Sequence, residues 1–298
     1  MGGALGTALQ AGLLGGIAAS ALIIGALIGI YARPKQWIVA SVMAFGAGAL
    51  ISALALELAD ESFSKGKEAA AFGNEQAAFF ALAAGFVGGG ILYWGLNALV
   101  ESRGAFLRKR STLRRFLHRR KLEATAEEHH DSVALPTHAE VQAAHVEHKE
   151  SGGAPVAIFM GALIDGIPES VVIGSELAAG VALTAINPTF LIAVFISNLP
   201  EAMSSAAGMT HAGFSVRRIM GLWVGLTIAS AVAAFVGNLL LAGNVTVVAT
   251  VDAIAGGGIL AMLASTMMPE AFEQGGPSVS ISTIVGFLAA YYFHAAGA

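Results

Sequence analysis

GALIDGIPESVVIGS (161–175) sets Asp165, Pro168 and Glu169 into an otherwise apolar run, and AVFISNLPEAMSSAAG (193–208) does the same with Asn198, Pro200 and Glu201. The two Pro-Glu pairs lie 32 residues apart, from Glu169 to Glu201. On a helix, Asp165 and Glu169 are i and i+4, so both carboxylates project from one face. Ser197 and Glu201 repeat that spacing, and Asn198 and Glu201 are i and i+3. Each proline removes an i→i−4 hydrogen bond, which frees the carbonyl of Ile164 or Ile196 and predicts a kink. What such a pattern means depends on the solvent around it.

Composition identifies that solvent. Of 298 residues, 56% are hydrophobic and only 12% charged, with a mean hydropathy of +0.72. A soluble domain of this length needs many more surface charges. The chain reads as a polytopic, all-α membrane protein. It has no cysteine, which excludes disulfides, thiolate metal sites and a cysteine nucleophile. Its 37 glycines suit close helix packing in lipid. MGGALGTALQ (1–10) has no basic region ahead of its apolar run, so a first transmembrane helix is expected there, not a cleaved signal.

A span needs about 20 mainly apolar residues. Eight runs qualify: Thr7–Tyr31, Trp37–Leu58, Gln76–Leu99, Pro155–Leu177, Asn187–Met209, Val216–Leu241, Val245–Met268 and Ser278–Phe293. Arg33-Pro34-Lys35 and Gly275-Gly276-Pro277 punctuate them. The organisation expected is therefore spans one to three in 1–102, a loop in 103–153, and spans four to eight in 154–298. With the N-terminus outside, the inner loops hold Arg33, Lys35, the nine basic residues of 103–121, Lys149, Arg217 and Arg218, which leaves only Lys65 and Lys67 outside. The positive-inside rule selects that orientation, with both termini outside. A bacterial cytoplasmic membrane is the expected location.

The loop has two parts. RKRSTLRRFLHRRK (108–121) places Leu113, Phe116 and Leu117 at helical spacing among basic residues, a pattern suited to the anionic leaflet and not to nucleic acid. EEHHDSVALPTHAEVQAAHVEHKE (127–150) holds His129, His130, His138, His145 and His148 among acidic residues. It reads either as a loose capture segment for transition metals or as a solvated acidic linker.

Ionisable residues inside the spans are few: Glu57, Asp165, Glu169, Glu176, Glu201 and Asp252. A charge at the bilayer centre costs about 2.5–3.5 kcal/mol, so these should face a bundle interior or a wet cavity. Glu57, Glu176 and Asp252 are near span ends, within reach of the outer interface. Asp165, Glu169 and Glu201 lie deeper. Three carboxylates brought together in low dielectric repel one another, and a divalent cation relieves that repulsion. No Lys or Arg lies within the spans to serve instead. Protonated carboxyls hydrogen-bonded between helices are the simpler alternative.

Asp165-Gly-Ile-Pro-Glu169-Ser and Ser197-Asn198-Leu-Pro-Glu201-Ala resemble the paired metal-binding motifs of the Zrt/Irt-like (ZIP) family of divalent-metal transporters. That family carries His-Asn-x-Pro-Glu-Gly on its fourth helix and a polar residue with Asp/Asn-x-Pro-Glu-Gly on its fifth. The topology is similar along the whole chain, and AGALISALALELADE (47–61) is weakly similar to GGILAMLASTMMPEA (257–271). The resemblance implies a ZIP-like bundle of eight helices with repeated three-helix units around helices four and five. It also implies metal ligands at Asp165, Glu169, Asn198 and Glu201, with Ser197 as a further donor. Departures are specific: Asp165 replaces the motif histidine, Gly166 replaces the asparagine, and Val216–Leu241 has no acidic residue. One metal site is expected in place of two. Its donors are all oxygen, which suits Mn²⁺, Mg²⁺ and Fe²⁺ more than a nitrogen-rich site does, while Zn²⁺ and Cd²⁺ remain in the expected class.

A path follows from the same residues. Glu57, Asp60 and Glu61 would gather cations outside; Glu270, Glu273 and His211 would receive them inside. Each also reads as a solvated helix terminus, and His294 reads as incidental. The expected function is inward transport of a divalent metal without an organic cofactor. A membrane metal sensor or scaffold and a proton or other cation carrier are the alternatives. An enzyme is not expected, because His-Glu-x-x-His, cysteine and a Ser/His/Asp set are all missing. Faces such as GFVGGG (85–90) suit packing within one chain or in a homodimer.

Overall fold

The computed structural model describes residues 2–68, 75–100, 154–178 and 188–297. Every described element is helical: α1 (Gly2–Tyr31), α2 (Gln36–Ala53), a π turn (Leu54–Ala59), α3 (Asp60–Glu68), α4 (Glu75–Val100), α5 (Ala154–Ala178), α6 (Thr189–His211), α7 (Val216–Leu241), α8 (Val245–Met262), a second π turn (Leu263–Met267), α9 (Met268–Gly275), a 3₁₀ turn (Gly276–Ser278) and α10 (Val279–Gly297). The chain divides into two compact units, 1–96 with 162–298, and 97–161. The described parts of the second are the last turn of α4 and the first turns of α5. The basic run, the five loop histidines and Asn187 fall outside the described residues.

Six segments among the described residues are long and apolar enough to cross a membrane: Ala4–Tyr31, Gln36–Lys67, Glu75–Val100, Thr189–His211, Val216–Leu241 and Val245–Ala296. They are compatible with an integral membrane protein. Where eight spans are expected, two differences appear. The helix α5 carries the first Pro-Glu pair but is not among the six. The last segment holds 52 residues, about 78 Å if straight, more than twice the ~30 Å hydrocarbon core. It is not straight: Gly276 takes φ 67°, a left-handed conformation that glycine adopts without steric cost.

Neighbours across the bundle show the reversal. The segment α9–α10 follows α2 in parallel, with Gly275 against Ala40, Thr283 against Gly48 and His294 against Glu57 just beyond α2. Residues on α8 run the other way, with Gly256 against Leu58 and Asp252 against Lys65. So α8 and α10 are antiparallel. Other breaks have local causes too. Ser215 Oγ accepts the Arg218 amide at the start of α7, and Asn244 Oδ1 accepts the Val247 amide at the start of α8. These caps satisfy amides that a helix start leaves open.

The packing is of small residues. Ala8, Ala11, Ala21 and Ala26 of α1 and Ala40 and Ala47 of α2 are fully buried, which lets backbones approach closely. Large apolar side chains point outward, among them Leu13, Phe80, Trp94, Ile281 and Tyr292. The apolar run predicts an end of the second span at Leu58; the helix instead continues through the π turn to Glu68, so Lys65 belongs to a helix and not to a loop.

Candidate functional site

Glycine contacts hold α6 in place. An added Cβ on Gly25 or Gly29 of α1 would strike the carbonyls of Leu199 and Met203, and one on Gly46 of α2 would lie 2.8 Å from Ser197 Cα. The segment Ser197–Glu201 is thus clasped between two neighbouring backbones. On the other side, Gly174 of α5 meets Ala234 and Gly166 faces Ser230, both on α7. Pro168 and Pro200 lie inside α5 and α6, which remain helical through them.

These placements bring the predicted carboxylates together. Glu169 is 2% exposed, and the charges acting on it are those of Glu201 and then Asp165. Ser197 and Asn198 are buried alongside on α6. Ser197 Oγ donates to the Val194 carbonyl at 2.9 Å, and Ser170 Oγ to the Gly166 carbonyl at 2.7 Å. Two residues that sequence reasoning missed complete the arrangement. The Tyr93 hydroxyl of α4 donates to Asp165 Oδ1 at 3.0 Å and lies 3.2 Å from Thr266 Oγ1 in the second π turn. Tyr93 also feels the Glu201 charge. Among the described residues, no group of three or more His, Asp or Glu is arranged to hold a metal ion. The three carboxylates share one electrostatic neighbourhood without forming a ready-made ligand cage.

The outer candidates form a more elaborate network than expected. Glu57 is buried among the helices. Its Oε2 accepts the Phe190 amide at 3.2 Å, the Thr189 hydroxyl bonds the same carboxylate, and His294 Nδ1 lies 3.3 Å from Oε1. Glu57 therefore closes the amide end of α6, where a helix favours negative charge. Asp252 is likewise buried. Lys65 Nζ sits 3.2 Å from Asp252 Oδ2 and 2.9 Å from Glu61 Oε1, while Ser175 Oγ donates to Asp252 Oδ1. Glu176 feels Glu61, Glu57, Asp252 and Lys65. A buried cation does exist in these helices, but Lys65 serves Glu61 and Asp252 and not the central carboxylates. Asp60 is exposed.

At the other end, Glu270 Oε1 accepts from Ser204 Oγ of α6 at 3.4 Å and from Gln274 Nε2 at 3.0 Å. Glu273 and His211 are exposed, and His211 Nδ1 lies 2.7 Å from the Ala207 carbonyl one turn back in its own helix. The helix α6 thus meets three polar clusters in order: Glu57 at Phe190, the central carboxylates about 17 Å further along, and Glu270 at Ser204 about 5 Å beyond Glu201. No protein-family model matches the sequence, and no curated protein matches it either.

Proposed function

We propose that the chain is an eight-span carrier of the Zrt/Irt-like type that moves a divalent metal into the cytoplasm. One observation carries the reading: Glu169 is buried, and the charges acting on it are both carboxylates, those of the half-buried Glu201 and Asp165. Such a group stays charged at moderate cost only with a counter-cation, and a divalent metal supplies two charges. Asn198 and Ser197 add neutral oxygen donors from α6. On this reading α5 and the two antiparallel halves of Val245–Ala296 bring the spans to eight, both termini lie outside, and Glu57 and Glu270 mark the two ends of the route. Oxygen donors favour Mn²⁺ and Fe²⁺ over Zn²⁺ or Cd²⁺. Rocking of one helical group against another around the central carboxylates would alternate access.

The test is uptake of Mn²⁺, Fe²⁺, Zn²⁺ and Cd²⁺ into proteoliposomes loaded with a metal-sensing dye, beside Glu169→Ala and Glu201→Ala. Saturable uptake lost in both variants is the expected result. Proton flux without metal would replace the reading with a proton carrier. Metal binding without flux would replace it with a membrane sensor.

A further inference from the structure

Phe79, Phe80 and Trp94 of α4 face outward, whereas Tyr93 of the same helix turns inward, at 6% exposure. Its hydroxyl stands between Asp165 Oδ1 at 3.0 Å and Thr266 Oγ1 at 3.2 Å. The direction of this chain follows from chemistry. An ionised carboxylate only accepts, so the phenol proton points to Asp165. The phenol oxygen then accepts from Thr266, whose hydroxyl can rotate to donate. Thr266 belongs to a π turn, a geometry that appears mostly as a single wide turn at functional positions.

This arrangement bears on how Asp165 can hold a cation. An Oδ1 that already accepts the phenol proton is a weaker donor to a cation, so the hydrogen bond disfavours two-oxygen ligation by Asp165 and favours binding through Oδ2 alone. Large hard cations such as Ca²⁺ collect six to eight oxygens and use carboxylates in the two-oxygen mode, whereas small ones keep six ligands near 2.1 Å and take one oxygen from each. Resting on the carrier reading above, we propose that Tyr93 is a positioning residue for selectivity: by holding Asp165 Oδ1 it biases Asp165 toward one-oxygen ligation and discriminates against large divalent cations. Thr266 fixes the phenol and acts one step further away.

The experiment compares Ca²⁺ with Mn²⁺, both hard enough that size is the main variable. Equilibrium binding to purified full-length protein and uptake into proteoliposomes are measured for wild type, Tyr93→Phe and Thr266→Val. In Tyr93→Phe the Ca²⁺:Mn²⁺ ratio should rise on the order of tenfold, the scale of one hydrogen bond to a charged group. In Thr266→Val it should rise about two- to threefold, the scale of a neutral hydrogen bond. A merely structural tyrosine would lower both metals in parallel, and an unchanged ratio in either assay overturns the proposal. Should Tyr93→Phe fail to fold, an unchanged ratio in Thr266→Val does the same. Binding without flux in wild type overturns only the carrier reading, since the ratio is then read from binding; no binding of either cation overturns both.

Discussion

Lys65 offers the sharpest test of how the cluster of Glu61, Lys65 and Asp252 is held. Its side chain is 9% exposed and that of Asp252 3%, and the two link α3 to α8 across 187 positions of sequence. Lys65→Met keeps most of the apolar stem and removes only the ammonium. Asp252 then retains the Ser175 hydroxyl but loses its counter-charge, and it still faces Glu61 and Glu176. Removing one partner of a buried pair costs about 3–5 kcal/mol, because an uncompensated charge is left behind. At about 2–4 °C per kcal/mol, the melting temperature in detergent should fall by roughly 10 °C. The second arm is Lys65→Met with Asp252→Asn. Neutral replacement of both members of a buried pair is often nearly neutral, and the amide oxygen introduced by Asp252→Asn can still accept from Ser175. The double variant should therefore recover most of the loss, which makes the two substitutions strongly non-additive. Additive losses in the cycle would refute the reasoning, since they would mean that the Lys65–Asp252 attraction contributes nothing net.

Two further outcomes follow from the geometry of α6. Gly46→Ala places a Cβ 2.8 Å from Ser197 Cα, where neither backbone can yield without moving the other; about 1–3 kcal/mol of overpacking and a severalfold rise in the KM for metal uptake are expected, and unchanged uptake would show that Ser197 and Asn198 are not needed where they stand. Glu57→Gln keeps an acceptor for the Phe190 amide but loses the charge, while Glu57→Ala loses both; Ala should cost about 1–2 kcal/mol in melting, and Gln should melt like wild type yet take up metal more slowly if Glu57 is an entrance and not only a cap.

Much of this is legible in the sequence, and what is not shares one physical reason. Periodicity and spacing report which face of a helix a residue occupies. They do not report which helix that face meets. Asp165 and Glu169 fall on one face from their i, i+4 spacing alone, whereas the proximity of Glu201 is implied by the resemblance to the paired ZIP motifs and not by spacing. Tyr93 carries no such signal, because a tyrosine in an apolar helix suits the core, the membrane interface or a polar contact equally. His294 lies 237 positions from Glu57, too distant for any local pattern to join them. Lys65 reads as loop because the apolar run ends at Leu58, yet the helix continues on polar residues that are satisfied by α8. Hydropathy marks where a helix leaves lipid; it does not mark where the helix stops.

The two π turns bear on the repeat that the sequence suggests. Aligning 47–61 with 257–271 sets an offset of 210 residues, which carries the turn at Leu54–Ala59 onto 264–269. A π turn stands at Leu263–Met267, and the acidic residue after each turn, Asp60 and Glu270, falls on the same alignment. The helices bearing them run antiparallel, since Gly256 meets Leu58 and Asp252 meets Lys65. A π turn inserts an extra residue and so rotates everything after it relative to an α-helix. Two such rotations in antiparallel segments act at opposite ends of α6: one precedes the cluster around Glu61 and Lys65, the other brings Glu270 to Ser204. On the carrier reading, an inverted pair of this kind would place its shared site near the middle, where neither half dominates. The central residues Ser197–Glu201 occupy that position along α6, and Thr266, within the second turn itself, reaches the site through Tyr93. On that arrangement a change in the π turn at 263–267 would be felt at Asp165 and at Glu270 together, which on the carrier reading would couple the selectivity of the site to the route past Glu270.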